Sequence, residues 1–234
     1  MKILAVIPAR GGSKGIPNKN LVSLCGRPLI DFSIRKALDS NCFCDVLVTS
    51  DSNEILSVAR SIDDRVIALQ RPLDLATDEA SSLDVVKHAV GSYSDLKGEI
   101  PDAIFLLQPT SPIRSLGELN EACEFFKKSS KKSLIGVSVP IQHPSDFIYQ
   151  HDQGFRYCFD RKESFVVRRQ DFADCWFING SIYITETQFL FDQNMFYALD
   201  NCELFHMSLE SSVDIDTPID LMIAETVIKH LNYS

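Results

Sequence analysis

The chain has 234 residues, with 23 basic against 32 acidic side chains, a formal net charge of −9 and 45% hydrophobic residues. That length suits one large domain, or one domain with a sizeable appendage, around a substantial core. The acidic balance excludes an extended nucleic-acid-binding face, and no apolar run approaches the roughly 18 residues of a membrane span.

The first residues run directly into a strand pattern with no signal peptide, so a cytoplasmic protein with neither nucleic-acid nor membrane partner is expected. Seven cysteines, an odd number without a C-x-x-C pair, and five dispersed histidines predict free thiols in a reducing compartment. They offer no zinc-type cluster, since Cys42 and Cys44 are the only close pair and their spacing is poor for one.

The first apolar run, Ile3–Ile7, has strand length and opens into the loop A-R-G-G-S-K-G-I-P-N-K-N, residues 9–20. Gly11, Gly12 and Gly15 stand among the cations Arg10, Lys14 and Lys19. Glycine backbone approaches an anion closely and exposes its N–H groups, so a buried strand delivering such a loop suits phosphate binding. The spacing is neither G-x-x-x-x-G-K-[ST] nor G-x-G-x-x-G. Taken alone, a solvated turn with scattered charges fits it equally well.

Further apolar runs at Asp45–Thr49, Val66–Leu69, Ala103–Leu107 and Leu134–Val139 alternate with amphipathic, helix-length segments at Pro28–Leu38, Asn53–Ser61, Ser81–Val90 and Leu116–Lys127. Strands apolar on both faces and alternating with helices predict an α/β fold, with a Rossmann-like, mostly parallel sheet covered by helices on both faces. In such sheets ligands bind beyond the carboxyl ends of the strands, so the chemistry is expected in the loops that follow them.

After the second strand, Thr49-Ser50-Asp51-Ser52 reads as a helix start with Ser50 or Asp51 as the cap. After the third come Arg71-Pro72 and then Thr77-Asp78-Glu79-Ala80-Ser81-Ser82. Asp78 or Ser81 fits a plain helix cap, and a cation followed by hydroxyls and a carboxylate also suits a ribose and base. After the fourth, two prolines in Leu107-Gln108-Pro109-Thr110-Ser111-Pro112-Ile113-Arg114 fix φ and remove N–H donors, which stiffens the loop and presents Gln108, Thr110, Ser111 and Arg114.

Regular periodicity fails from residue 140 to 178, where aromatics such as Phe147, Tyr149, Phe155, Phe165 and Trp176 mix with Arg156, Arg161, Arg168 and Arg169. A stretch this long is unusual as a connection in a compact domain, and aromatic and arginine side chains are enriched at interfaces. It reads as a projecting arm packed on a second subunit, against a small β appendage folded on its own chain. Asn179-Gly180 then reads as a turn into a strand at Ser181–Ile184, with a short strand at Glu203–Leu209 and a last helix from Ile219 to about His230. Residues 1–139 and 179–234 would form the core, and 140–178 the arm.

Ahead of that last helix stands Val213-Asp214-Ile215-Asp216-Thr217-Pro218. On extended backbone Asp214 and Asp216 lie on one face, where two like charges repel unless a cation sits between them. Hard oxygen ligands suit Mg²⁺. Helix capping by Asp216 or Thr217 ahead of Pro218 explains part of the same pattern.

Five blocks together resemble the acylneuraminate cytidylyltransferases, also called CMP-sialic acid synthetases, a family that includes CMP-legionaminate-type enzymes. They are Ala9, Arg10, Ser13, Lys14, Lys19 and Asn20; Arg71, Pro72, Asp78, Ala80, Ser81 and Ser82; the Q-P-T-S-P-x-R run ending at Arg114; residues 179–184; and Ser212, Asp214, Ile215, Asp216 and Thr217. The resemblance implies a nucleotide-diphospho-sugar transferase fold with a dimerisation arm, and hence a homodimer. It also implies transfer of CMP from CTP to a nine-carbon 2-keto sugar acid with release of pyrophosphate.

On the same ground Ala9, Arg10, Gly11, Ser13, Asn20, Arg71, Asp78, Ser81 and Ser82 would bind the nucleotide, with Arg10, Lys14 and Lys19 on the triphosphate. Asp214 and Asp216 would hold Mg²⁺, and Gln108, Thr110, Ser111, Arg169, Gln170 and Asn179 would face the acid. Arg169 suits the acid's carboxylate because a guanidinium binds that group bidentately.

Two rivals are a 3-deoxy-manno-octulosonate cytidylyltransferase and a catalytically silent nucleotide-binding assembly protein. The D-I-D and Q-P-T-S-P blocks favour the sialic-type branch over the first, and the retained cations and carboxylates count against the second. Asp146, two positions after His143-Pro144, stands where sialic acid synthetases commonly carry a lysine. N-acetylneuraminate is the default acid expected, with a relative such as legionaminate as its competitor.

Overall fold

The computed structural model describes residues 1–152, 154–158 and 174–231. In chain order the elements are β1 (Ile3–Pro8), a small hairpin of β2 (Ser23–Leu24) and β3 (Arg27–Pro28), α1 (Leu29–Asp39), β4 (Phe43–Ser50), α2 (Asn53–Ile62) and β5 (Val66–Gln70). There follow α3 (Ser82–Lys97), β6 (Ala103–Leu106), α4 (Leu116–Lys128), β7 (Ser133–Ser138), β8 (Ile148–His151) and β9 (Gly154–Tyr157). The chain closes with β10 (Phe177–Glu186), α5 (Thr187–Gln193), β11 (Cys202–His206) and α6 (Pro218–His230).

Seven strands make one sheet in the order β11-β7-β10-β6-β1-β4-β5. β10 runs antiparallel to both β6 and β7, and the other pairings are parallel. The period-2 geometry of a strand explains why β1 is apolar throughout. Ile3, Ala5 and Ile7 pack with Ile30 and Ile34 of α1, Leu56 of α2 and Phe126 of α4 on one face. Leu4 and Val6 pack with Val86, Val90 and Tyr93 of α3 and Leu190 of α5 on the other. The expected two-faced α/β sheet is therefore present.

Local detail departs from the sequence reading in four places. Asn179-Gly180 is not a turn before a strand but a bulge inside β10: Gly180 has φ +74°, and the register against β7 shifts between Ile178 and Tyr183. Pairing on both sides carries the strand through a glycine that looked like its start. The helix α3 runs past Val90 to Lys97 and stops at Gly98 in the left-handed region, φ +73°, which spares the cost a Cβ would bring there. The short helix α5 went unread, and β8 and β9 form a hairpin within the arm. Its strands are exposed on both faces, so they show no in–out alternation to read.

Among the described residues no helix is long and apolar enough to cross a membrane. The seven cysteines are free thiols.

Candidate active site

Because six strands are parallel, the loops after β1, β4, β5, β6, β7 and β11 emerge at one edge of the sheet, together with the start of the antiparallel β10. The glycine loop is fastened there at both ends. The buried Ala9 donates its N–H to the Thr49 carbonyl at 3.0 Å, and the Asn20 amide donates to the Arg10 carbonyl at 2.8 Å. Gly11 N–H donates to Asp51 Oδ1 at 2.9 Å. This corrects the reading of Ser50 or Asp51 as a helix cap: Ser52 caps α2 by accepting the Ile55 N–H, which leaves the Asp51 carboxylate for the loop. No short-range pattern ties Asp51 to a glycine forty residues earlier.

The glycines differ in what they do. A Cβ on Gly12 would meet nothing within 4 Å, whereas one on Gly15 would lie 2.1 Å from the carbonyl oxygen of Asp216. Gly15 is thus the point where the first loop presses directly on the D-I-D segment.

The loop's cations are all paired to carboxylates of other loops. Arg10 Nη1 lies 2.6 Å from Asp78 Oδ1, and Lys14 Nζ lies 2.8 Å from Asp78 Oδ2. These partners, Lys14 first, hold the Asp78 carboxyl below its ordinary range. Lys19 Nζ donates to Asp216 Oδ1 at 2.7 Å and to the Ile215 carbonyl at 2.9 Å. Ser13 lies on the same loop, part-exposed.

In the D-I-D segment Ile215 is fully buried against Ile16, Leu29, Phe32 and Ile113, and its N–H donates to the Thr110 carbonyl at 2.8 Å. With the middle residue fixed inward, Asp214 and Asp216 are left toward the cleft. Capping falls to Thr217 and Asp220, not to Asp216. Asp220 Oδ2 accepts the Thr217 N–H and hydroxyl, each at 2.7 Å, and the Asp216 N–H at 3.2 Å.

Desolvation raises the Asp214 carboxyl above its ordinary value, Asp216 adds to the shift, and the Thr110 hydroxyl and Lys19 oppose it. A carboxylate so placed gains from a hard cation. Among the described residues no group of three or more His, Cys, Asp or Glu side chains is positioned for a metal. Two carboxylates beside a glycine loop rich in cations match the way Mg²⁺ is commonly held, by one or two carboxylates with phosphates and water completing the shell. The donor set fits Mg²⁺.

A pocket of about 290 Å³ adjoins the loop, lined in part by Arg10, Arg71, Thr77, Asp78, Ser82 and Gln108. Arg71 is only 4% exposed. Its Nη2 donates to the Thr49 carbonyl at 2.7 Å, while its Nε has no hydrogen-bond partner among the described residues. Burial pushes this guanidinium down from its ordinary value. A buried N–H without an acceptor is costly, and it is a ready donor for a ligand oxygen or ring nitrogen. Ser81 is the cap of α3, accepting the Asp84 N–H at 3.1 Å, and Ser82 begins the helix at the pocket wall.

The stiff loop after β6 faces both ways. Arg114, 1% exposed, turns inward and donates to the Ser181 carbonyl (2.6 Å), the Ser33 hydroxyl (2.8 Å) and the Gln108 carbonyl. It is a buried clamp between the loop, α1 and β10, which corrects its reading as a presented side chain. Gln108 reaches the pocket and Thr110 the D-I-D segment, while Ser111, also read as presented, is instead fully buried, its hydroxyl without a hydrogen-bond partner among the described residues. Asn179, also buried, donates to the Ser212 hydroxyl at 3.0 Å and accepts the Ser181 N–H at 3.1 Å. Arg169 and Gln170, with Arg161, Arg168 and Phe165, lie outside the described residues.

The fold is shared with solved structures of low sequence identity. A CMP-2-keto-3-deoxy-manno-octonic acid synthetase structure complexed with CTP superposes with TM-score 0.71 at 17% identity, over 99% of this chain and 100% of that one. A 4-diphosphocytidyl-2C-methyl-D-erythritol synthase from Anaerococcus prevotii gives TM-score 0.66 at 12% identity, over 97% and 96%.

The chain belongs to the cytidylyltransferase family, whose model matches residues 4–232. It is 34% identical to the N-acylneuraminate cytidylyltransferase of Escherichia coli over 99% of its own length, and 34% identical to the CMP-N,N'-diacetyllegionaminic acid synthase of Legionella pneumophila over 98%. It is 32% identical to the pseudaminic acid cytidylyltransferase of Campylobacter jejuni, also over 98%. The chain spans about half (53%) of the E. coli relative and 97% of each of the other two.

Proposed function

We propose that this chain transfers CMP from CTP to a nine-carbon 2-keto sugar acid, using Mg²⁺, in the cytoplasm and as a homodimer. The observation that carries the reading is the convergence at one sheet edge of three loop cations, the D-I-D carboxylates and a buried arginine with a spare N–H, with Arg10 and Arg71 lining a pocket of about 290 Å³. The relatives named for sialic, legionaminic and pseudaminic acids support the acid class.

Arg10 and Lys14 grip the β- and γ-phosphates and neutralise the departing pyrophosphate, and Lys19 orients the D-I-D segment through Asp216 and the Ile215 carbonyl. Arg71, Ser82 and Gln108 hold the base and ribose. The acid's anomeric hydroxyl attacks the α-phosphorus in line and gives up its proton to solvent water, a new P–O bond forms, and the bond from the α-phosphorus to the departing pyrophosphate breaks. Positioning and charge neutralisation carry this kind of step, and no covalent intermediate is required. Mg²⁺, held by Asp214 and Asp216, would supply charge neutralisation on the phosphates and acidify the attacking hydroxyl.

Exposed aromatic and aliphatic side chains on the arm and its base, among them Phe147, Ile148, Phe155, Trp176 and Phe177, support the dimer. The deciding assay is pyrophosphate release with each of the four nucleoside triphosphates and Mg²⁺, against N-acetylneuraminate, legionaminate, pseudaminate and the eight-carbon octulosonate. CTP-specific release with a nine-carbon acid is expected. Preference for the octulosonate, or equal use of all four nucleotides, overturns the reading.

A further inference from the structure

Asp78 divides its two oxygens between the two cations at the front of the glycine loop, Oδ1 to Arg10 at 2.6 Å and Oδ2 to Lys14 at 2.8 Å. Arg10 also reaches the neighbouring Thr77 carbonyl at 3.5 Å. A single carboxylate thus takes the place that phosphate oxygens would need on both side chains, and it stands at the wall of the nucleotide pocket. The two other carboxylates paired with the first loop are engaged elsewhere, Asp51 with the Gly11 N–H and Asp216 with Lys19.

We propose that Asp78 is a positioning residue that competes with the polyphosphate for Arg10 and Lys14. It loosens the grip on CTP and on pyrophosphate, and it helps expel pyrophosphate by re-pairing with the two cations as the product leaves.

This rests on the assignment of Arg10 and Lys14 to the triphosphate. Three features of the chain support it. The pair is exchangeable: side-chain exposures of 36% for Arg10, 80% for Lys14 and 48% for Asp78 place it in water, where such bridges are weak enough for a tri- or diphosphate to displace. The carboxylate is on a turn outside any strand or helix, which the Ala80 N–H closes by donating to the Thr77 carbonyl at 3.4 Å and the Thr77 hydroxyl at 3.2 Å. Asp78 is charged in neutral solution, and the two cations hold its carboxyl below the ordinary range. A carboxylate left beside a bound polyphosphate is repelled by it, so the competition runs in both directions.

The test is calorimetric titration of inorganic pyrophosphate with Mg²⁺ into the wild-type chain, Asp78→Asn and Asp78→Glu, joined to the KM for CTP. The amide keeps the side chain's size and removes the charge. Two exposed bridges correspond to about three- to tenfold in affinity. Asp78→Asn should therefore bind pyrophosphate that much more tightly and lower the KM for CTP by a similar factor, with Asp78→Glu close to wild type. Equal or weaker binding by Asp78→Asn overturns the proposal, as does Asp78→Glu behaving like Asp78→Asn, since a structural role would respond to both changes alike. If CTP is still consumed with a nine-carbon acid, the proposed function survives either result. If none of the three proteins binds pyrophosphate, the assignment of Arg10 and Lys14 to the polyphosphate falls, and this proposal with it.

Discussion

Replacing Gly15 by alanine tests whether the glycine loop and the D-I-D segment act as one unit. The new Cβ would sit 2.1 Å from the Asp216 carbonyl oxygen, and since Cβ contacts below 3.0 Å are essentially never seen, the two backbones must part by about 0.9 Å (3.0 − 2.1). The obstacle is backbone, so no side chain can swing aside to relieve it. Over-packing of this kind costs about 1–3 kcal/mol, which lowers the melting temperature of a chain this size by roughly 2–12 °C.

The functional loss is larger, because a displacement near 1 Å separates Lys19 from Asp216 Oδ1 and the Ile215 carbonyl, and misplacement on that scale costs about 10²-fold in rate. Steady-state pyrophosphate release and thermal melting measure the two effects. Gly12→Ala, which meets nothing within 4 Å, is the matched control and should change neither measurement. Wild-type turnover in Gly15→Ala, or an equal loss in Gly12→Ala, refutes the account.

Asp216→Asn should keep the melting temperature near wild type while turnover falls by at least about 10²-fold, because the amide cannot supply the lost charge; near-normal Mg²⁺-dependent activity would contradict this. Arg114→Ala strips donors from three acceptors, two of them buried with the side chain, and should cost about 3 kcal/mol or more in urea unfolding, at roughly 1–3 kcal/mol per group left unsatisfied. Burial, with the 2.8 Å bond from its hydroxyl to Asp45, raises the Tyr93 phenol above its ordinary value of 10.0. The stabilisation it provides is fully present below about pH 10 and shrinks as the pH climbs past that value toward the folded-state one, so Tyr93→Phe should flatten the alkaline fall in stability. Phe155→Asp, at an arm position 73% exposed, should shift a light-scattering dimer toward monomer without lowering the melting temperature of the core.

The sequence by itself determined the layered α/β sheet, because strands buried on both faces must be apolar without alternation, and β1 shows that pattern plainly. It also picked out the loops, since glycines, prolines and acidic capping residues act over a few neighbouring positions. What it could not fix were choices among equivalent neighbours and contacts between distant loops. Ser52 rather than Ser50 or Asp51 caps α2, and Thr217 rather than Asp216 opens α6, which frees Asp51 for Gly11 and Asp216 for Lys19.

Arg114 reads like any loop cation, and only the closing of β6, α1 and β10 around it turns it into a buried clamp. The bulge at Gly180 mimics a turn until β7 pairs with β10 both before and after it. Gly15 looked like one of three interchangeable loop glycines. Tertiary structure alone set it against the Asp216 carbonyl, because that contact joins residues some two hundred positions apart and leaves no short-range pattern in the chain.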